Sequence, residues 1–145
     1  MAVTAKMNGN ALLKALNKEV NYLTDTIKVM LCTSIYVPDQ DAHIYKSSVT
    51  GEVVGTGYVA GGATLTDKTM VYVAGTNTIT LDATDVTWAT STITARYAVI
   101  YDAQTAVDAT SVLLGYVDFG ADQISSIGNF TITWDVLGLF AVTAS

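Results

Sequence analysis

The chain has 145 residues, half of them hydrophobic and only 14% charged, which predicts one domain and excludes intrinsic disorder. So few charged side chains cannot cover the outside of a monomer, and we expect part of the surface to meet another protein. The net charge is −6 and the seven Lys and Arg residues are scattered, which excludes a nucleic-acid partner because phosphate binding needs clustered basic side chains.

The helical period of the sequence lies in residues 10–23. Four apolar residues recur there at spacings of four and three: Leu12, Leu16, Val20 and Leu23. This spacing places them on one face of a short amphipathic helix, which we expect to lie against a sheet or a neighbouring subunit. Residues 1–10 are mostly small or polar, and we interpret them as a flexible arm that orders on a partner.

The remainder of the chain is typical of β-strands. The predicted strands are residues 27–32, 70–73, 78–81, 86–88, 92–101, 112–119, 130–134 and 136–142, with a weaker candidate at 52–54. Short strands separated by Gly, Asn and Asp turns predict an antiparallel β-sandwich or a jelly-roll-like barrel. The expected fold class is therefore mainly β with one short N-terminal amphipathic helix, in a single domain of residues 1–145.

A glycine-rich segment, residues 55–60, has the G-x-G-x-x-G/A spacing of a dinucleotide-binding loop. That chemistry needs a helix directly after the loop, so that the helix N-terminus meets the pyrophosphate. Gly61 and Gly62 follow instead, and β-type sequence comes after them. We interpret the segment as a turn whose glycines permit positive φ, and we expect no cofactor.

The titratable residues show no catalytic or metal-binding pattern. The Asp pairs at 39/41 and 82/85 lack the further oxygen ligands and the loop pattern of a calcium site. His43, the only histidine in the sequence, lies in a polar loop without a nucleophile motif. We therefore predict a protein that is not an enzyme and holds no metal ion.

Neither export nor membrane insertion is predicted. Residues 1–6 lack the apolar core of a secretory signal, and no run approaches the roughly 18 apolar residues that span a bilayer. Cys32 is the single cysteine, which excludes an intrachain disulfide, and its apolar surroundings predict a buried small hydrophobe. We expect the chain to fold in a cytoplasm, without a membrane partner.

The aromatic residues fall into two groups. Those in strand patterns are expected in the core: Trp88, Phe119, Phe130 and Trp134. Tyrosines in the polar, Gly-rich part of the chain are instead good protein-contact residues, although sugar binding on exposed aromatics is an alternative. Together with two residues of the arm they make the predicted protein interface: Tyr36, Tyr45, Tyr58, Lys6 and Met7.

Six segments carry a resemblance that covers nearly the whole chain. They are LNKEV (16–20), DTIKVML (25–31), GEVVGTGYVAGG (51–62), DVTW (85–88), TARYAVIYD (94–102) and GYVDFG (115–120). In these segments the sequence resembles a family of small structural proteins of tailed bacteriophages. The GTGYxAGG string is the most distinctive of them.

This resemblance implies a virion component. A capsid decoration (cement) protein is the first expectation, because such proteins are small, β-rich and acidic and bind outside the shell. It would be assembled in the host bacterial cytoplasm, lie on the capsid surface, and have the major capsid protein or other virion proteins as partners. A homo-oligomer is expected, and a trimer would suit a site of local three-fold symmetry. The alternatives are a tail, baseplate or fibre-associated protein, and a carbohydrate-binding adhesion module.

Overall fold

The protein is mainly β: in residues 2–145, which the computed structural model describes, nine strands form two sheets beside one α-helix. The elements are β1 (Ala2–Val3), β2 (Lys6–Met7), α1 (Gly9–Leu16), β3 (Ile27–Cys32), a 3-10 turn (Lys46–Ser48), β4 (Ala63–Thr64), β5 (Thr69–Val73), β6 (Thr78–Asp82), β7 (Val86–Asp102), β8 (Leu113–Trp134) and β9 (Phe140–Thr143). The large sheet has the order β1-β8-β7-β3-β4, with β2 also paired to β8, and the small sheet has the order β5-β6-β9.

The long hairpin of β7 and β8 is the frame of the large sheet. Strand β7 combines the predicted strands 86–88 and 92–101, and strand β8 combines the predicted strands 112–119 and 130–134. β-bulges in the irregular stretches allow β7 and β8 to stay paired along their length. One bulge is held by a buried hydrogen bond of 2.8 Å between the hydroxyls of Ser91 and Ser125. Strand β7 has a central position in the large sheet, since it lies between β8 and β3.

Apolar side chains pack on both faces of the large sheet where β3 meets the second half of β7. One core cluster contains Val29 and Ile100, and a second contains Met30 and Val99. Because neighbouring residues of a strand point to opposite faces, this pattern requires an almost continuous apolar sequence. The sequence of both strands has that property.

The helix is shorter than predicted. It ends at Leu16 because Lys18 adopts a left-handed conformation (φ 64°), which stops helical propagation. The N–H groups of Asn17 and Lys18 bond back to carbonyls of the last turn. Residues 17–23 therefore lie outside the helix, and Val20 is buried from a loop.

The N-terminal segment is paired with the large sheet rather than free. Strand β1 runs parallel to the end of β8, and β2 runs antiparallel to the start of β8. Asn8 continues this attachment, since its N–H donates to the carbonyl of Leu114. The interpretation of residues 1–10 as a flexible arm is corrected for residues 2–10, because backbone pairing and helix α1 order them within the single chain; Met1 lies outside the described residues.

Candidate protein interface

The small sheet has one apolar face. Met70, Leu81 and Phe140 lie opposite one another across its three strands, and so do Tyr72, Ile79 and Val142. Residues directly opposite in an antiparallel ladder share a face, so these six side chains form one surface. The other face carries mainly Thr and Val: Thr69, Val71, Val73, Thr78, Thr80, Ala141 and Thr143.

An apolar groove separates this face from helix α1. Its volume is about 290 Å³, and its wall on the helix side is formed by Ala11, Leu12 and Ala15. Ala11 is the buried residue of the helix, whereas Leu16 is 75% exposed. The apolar stripe predicted for the helix is therefore only partly covered by the chain's own sheet.

The groove has a closed floor and an open mouth. Phe140 and Leu114 are buried at the floor, while Met70 and Ile79 are exposed at the rim. None of the described lining residues carries a charge. The lining hydroxyl of Tyr22 is engaged by its own chain, because it donates to the carbonyl of Asp82 at 2.7 Å, and burial raises its pKa. The groove can bury apolar side chains of a partner, and its described lining residues are apolar apart from Asn21 and Tyr22.

The predicted interface tyrosines lie away from this groove. Tyr36 is only 2% exposed, stacks on His43 and bonds its Nδ1 at 3.1 Å. Its side chain is thus inside the protein and offers no contact surface in this conformation, which corrects its assignment as a contact residue. Tyr45 is half-buried, with the ammonium of Lys14 over its ring at 5.2 Å.

Tyr58 belongs to the glycine-rich segment and fastens it to strand β3. Its hydroxyl donates to Oε1 of Glu52 at 2.8 Å and accepts from the N–H of Leu31 at 3.0 Å. Burial, as the main cause, raises the pKa of this phenol. Gly62 has a φ of 76°, and a Cβ there would lie 1.9 Å from the carbonyl oxygen of Val29. The predicted turn is confirmed in this respect, and its glycines allow close approach of two backbones.

The two predicted contact residues from the N-terminal segment have different positions. Lys6 is exposed on β2, and Met7 is half-buried and lines the groove. Of the five predicted residues, Met7 is thus the one at the groove. Met70 and Ile79 were missed, although the alternation of residues 69–73 and 78–82 contains the signal. Alternation shows that a strand has two faces, but it does not tell which face the rest of the chain leaves open.

An acidic pair lies at the end of β7, where Asp102 is buried and its neighbour Asp25 is half-buried. Asp102 accepts a hydrogen bond from the N–H of Gln104 at 2.8 Å through Oδ1, while its Oδ2 has no partner within residues 2–145. Burial, with the neighbouring carboxyl of Asp25, raises the pKa of Asp102 to about 6. Lys68 opposes this shift, and its ammonium donates to the backbone carbonyl of Asp25. The pair makes the stability depend on pH.

Residues 2–145 contain no group of three or more His, Cys, Asp or Glu side chains that could hold a metal ion. No helix within this range has the length and apolar character needed to cross a bilayer. Cys32 is buried as predicted, and burial raises the pKa of its thiol to about 12.

No family model, curated protein or solved structure matches the chain.

Proposed function

We propose that the protein is a structural component of a tailed-bacteriophage virion, and specifically a capsid decoration protein that binds the outside of the head and stabilises it. The observation that supports this proposal is the open apolar groove between α1 and the small sheet. Leu12 in its wall is 45% exposed, and none of the described lining residues carries a charge. A protein with so little charge and an uncovered apolar surface is suited to permanent contact with other subunits.

The physical basis of such a role is association free energy. Each Leu or Met side chain that becomes fully buried at a joint between subunits contributes roughly 1.5–3 kcal/mol. Many copies on one particle add their contributions, which resists outward pressure on the shell. The partner that we propose is the major capsid protein.

We also propose that the two sheets are arranged as an antiparallel β-sandwich or a jelly-roll-like barrel.

Binding of purified protein to undecorated capsids tests the role of the groove. Leu12 lines the groove and is 45% exposed, and we expect Leu12→Ser to weaken co-sedimentation with capsids by at least about tenfold, which corresponds to the loss of roughly 1.4 kcal/mol of apolar contact. Val136→Ser is the matched control, because Val136 is 95% exposed and lies outside the groove lining. Both variants should remain folded at the temperature of the binding assay, since both residues are exposed.

Two results would contradict the proposal. Equal capsid binding by Leu12→Ser and the wild-type protein would show that the groove is not part of the interface. A particle reconstruction with density for this protein confined to the tail or baseplate, rather than in an icosahedral array, would replace decoration by the tail-associated alternative.

A further inference from the structure

The outer edge of the small sheet is open. Strand β5 ends the order β5-β6-β9, and no strand within residues 2–145 pairs with its outer side. Its five residues, Thr69–Val73, are all exposed. They include no proline and no charged residue, and no irregularity interrupts their pairing with β6. Prolines, charged side chains and β-bulges normally protect edge strands from pairing with other chains. An edge strand without any of them indicates a strand that pairs with another chain.

We propose that β5 pairs antiparallel with β5 of a second copy of this chain, so that two small sheets join into one six-stranded sheet about a two-fold axis. This inference concerns the free protein and does not depend on the virion role.

The side chains of β5 are complementary to themselves in this arrangement. Full overlap of two antiparallel copies places Val71 opposite Val71 of the second copy and Thr69 opposite its Val73. Met70 then lies opposite Tyr72 of the second copy, and the reverse pair forms by symmetry. Methionine against an aromatic ring and β-branched residues against each other are favourable cross-strand neighbours. Because Met70 and Tyr72 are on the apolar face, the apolar faces of both copies lie on the same side of the joined sheet.

The charge distribution permits a second copy at this edge. Two molecules that each carry a net charge of −6 repel one another, and residues 69–73 form a stretch without charge where they can approach. The nearest charged side chains are held by their own chain: Lys68 donates to the carbonyl of Asp25, and Asp67 accepts from the hydroxyl of Thr84. In the proposed register Lys68 lies opposite Ala74 of the second copy, so no like charges face each other.

Engineered cysteines test both the contact and its register. Val71 is 53% exposed and would meet its own copy at the two-fold axis, so V71C should oxidise rapidly to a disulfide-linked dimer on a non-reducing gel. T69C is the matched control: it is also exposed, but its two copies would lie at opposite ends of the paired strands and should remain monomeric. An equimolar mixture of T69C and V73C should cross-link. The native Cys32 is buried and does not compete.

The mass of the unmodified protein gives a second readout. Light scattering after gel filtration should give twice the 15.3 kDa of one chain, and Val71→Lys should shift the mass to that of a single chain while leaving the circular dichroism spectrum of the folded protein unchanged. A wild-type mass of one chain, or equal cross-linking of V71C and T69C, would overturn the proposal. So would a trimeric mass without a V71C cross-link, because that result indicates pairing of β5 with β9 of another copy or with a different segment.

Discussion

Strands β3 and β5 are both rich in apolar residues, but β3 is buried and β5 is exposed. In β3 five of the six residues are buried, because β7 and β4 pair on its two sides and core clusters cover both of its faces. In β5 all five residues are exposed, one side is unpaired, and the apolar face is only partly covered by α1. Apolar sequence therefore serves folding in the large sheet, whereas in the small sheet it remains available for association.

The difference in burial predicts a large difference in stability between two equivalent truncations. Ile100 of β7 is fully buried, and Ile79 of β6 is 38% exposed. We expect Ile100→Ala to lower the free energy of unfolding by about 2–5 kcal/mol, since it leaves a cavity in the core. Ile79→Ala should cost less than about 1 kcal/mol in the monomer. Denaturant unfolding measures both, and equal losses would show that the small sheet is as well packed as the large one.

Glycine substitutions separate the two regions in the same way. Gly62→Ala should lower the free energy of unfolding by at least about 2 kcal/mol, because the residue has positive φ and its Cβ would overlap the backbone of Val29. Gly75, in the hairpin turn between β5 and β6, has nothing within 4 Å of an added Cβ and no positive φ. Gly75→Ala should change stability by no more than about 0.5 kcal/mol. The reverse order in thermal melts would contradict the close approach at Gly62.

The buried carboxyl of Asp102 makes the stability of the large sheet depend on pH. The folded state holds this proton more tightly than the unfolded chain, because the pKa is raised from 3.8 to about 6. The stabilisation of the folded state by this proton is complete below about pH 4 and is lost as the pH rises through 6. We expect Asp102→Asn to remove this loss and to raise the free energy of unfolding at pH 8 by about 1–3 kcal/mol.

Denaturant unfolding between pH 4 and pH 8 measures this effect, with Asp122→Asn as a control at an exposed position. A wild-type and an Asp102→Asn protein with parallel pH profiles would show that Asp102 ionises normally in the folded state.

Much of the secondary structure of the chain could be predicted from the sequence. The β3 prediction agrees with the structure residue for residue, and β5 and β6 agree within one residue at an end. Trp88, Phe130 and Trp134 are buried as expected, and Phe119 is half-buried against the same cluster. These features depend on local alternation and on side-chain size, which a single sequence contains.

The predictions from the sequence that were wrong have a common cause. The helix was extended to residue 23 because Val20 and Leu23 continue its period, yet Lys18 turns the chain so that Val20 is buried from a loop. Tyr36 was assigned to an interface because its neighbours are polar, yet it packs on His43 and Tyr97. The ordering of residues 2–7 comes from β8, more than a hundred residues away in the chain. Each outcome is decided by a contact between distant segments, which the local pattern does not contain.

By itself, the sequence determined that the protein is mainly β, that few of its residues are charged, and that certain strands are apolar on one face or on both. Hydrophobic period and composition are local properties, and they are sufficient for these conclusions. Only the tertiary structure decided which apolar faces are covered. Burial depends on how β7, β8 and α1 are placed relative to the other strands, and this placement leaves the groove and the edge of β5 open.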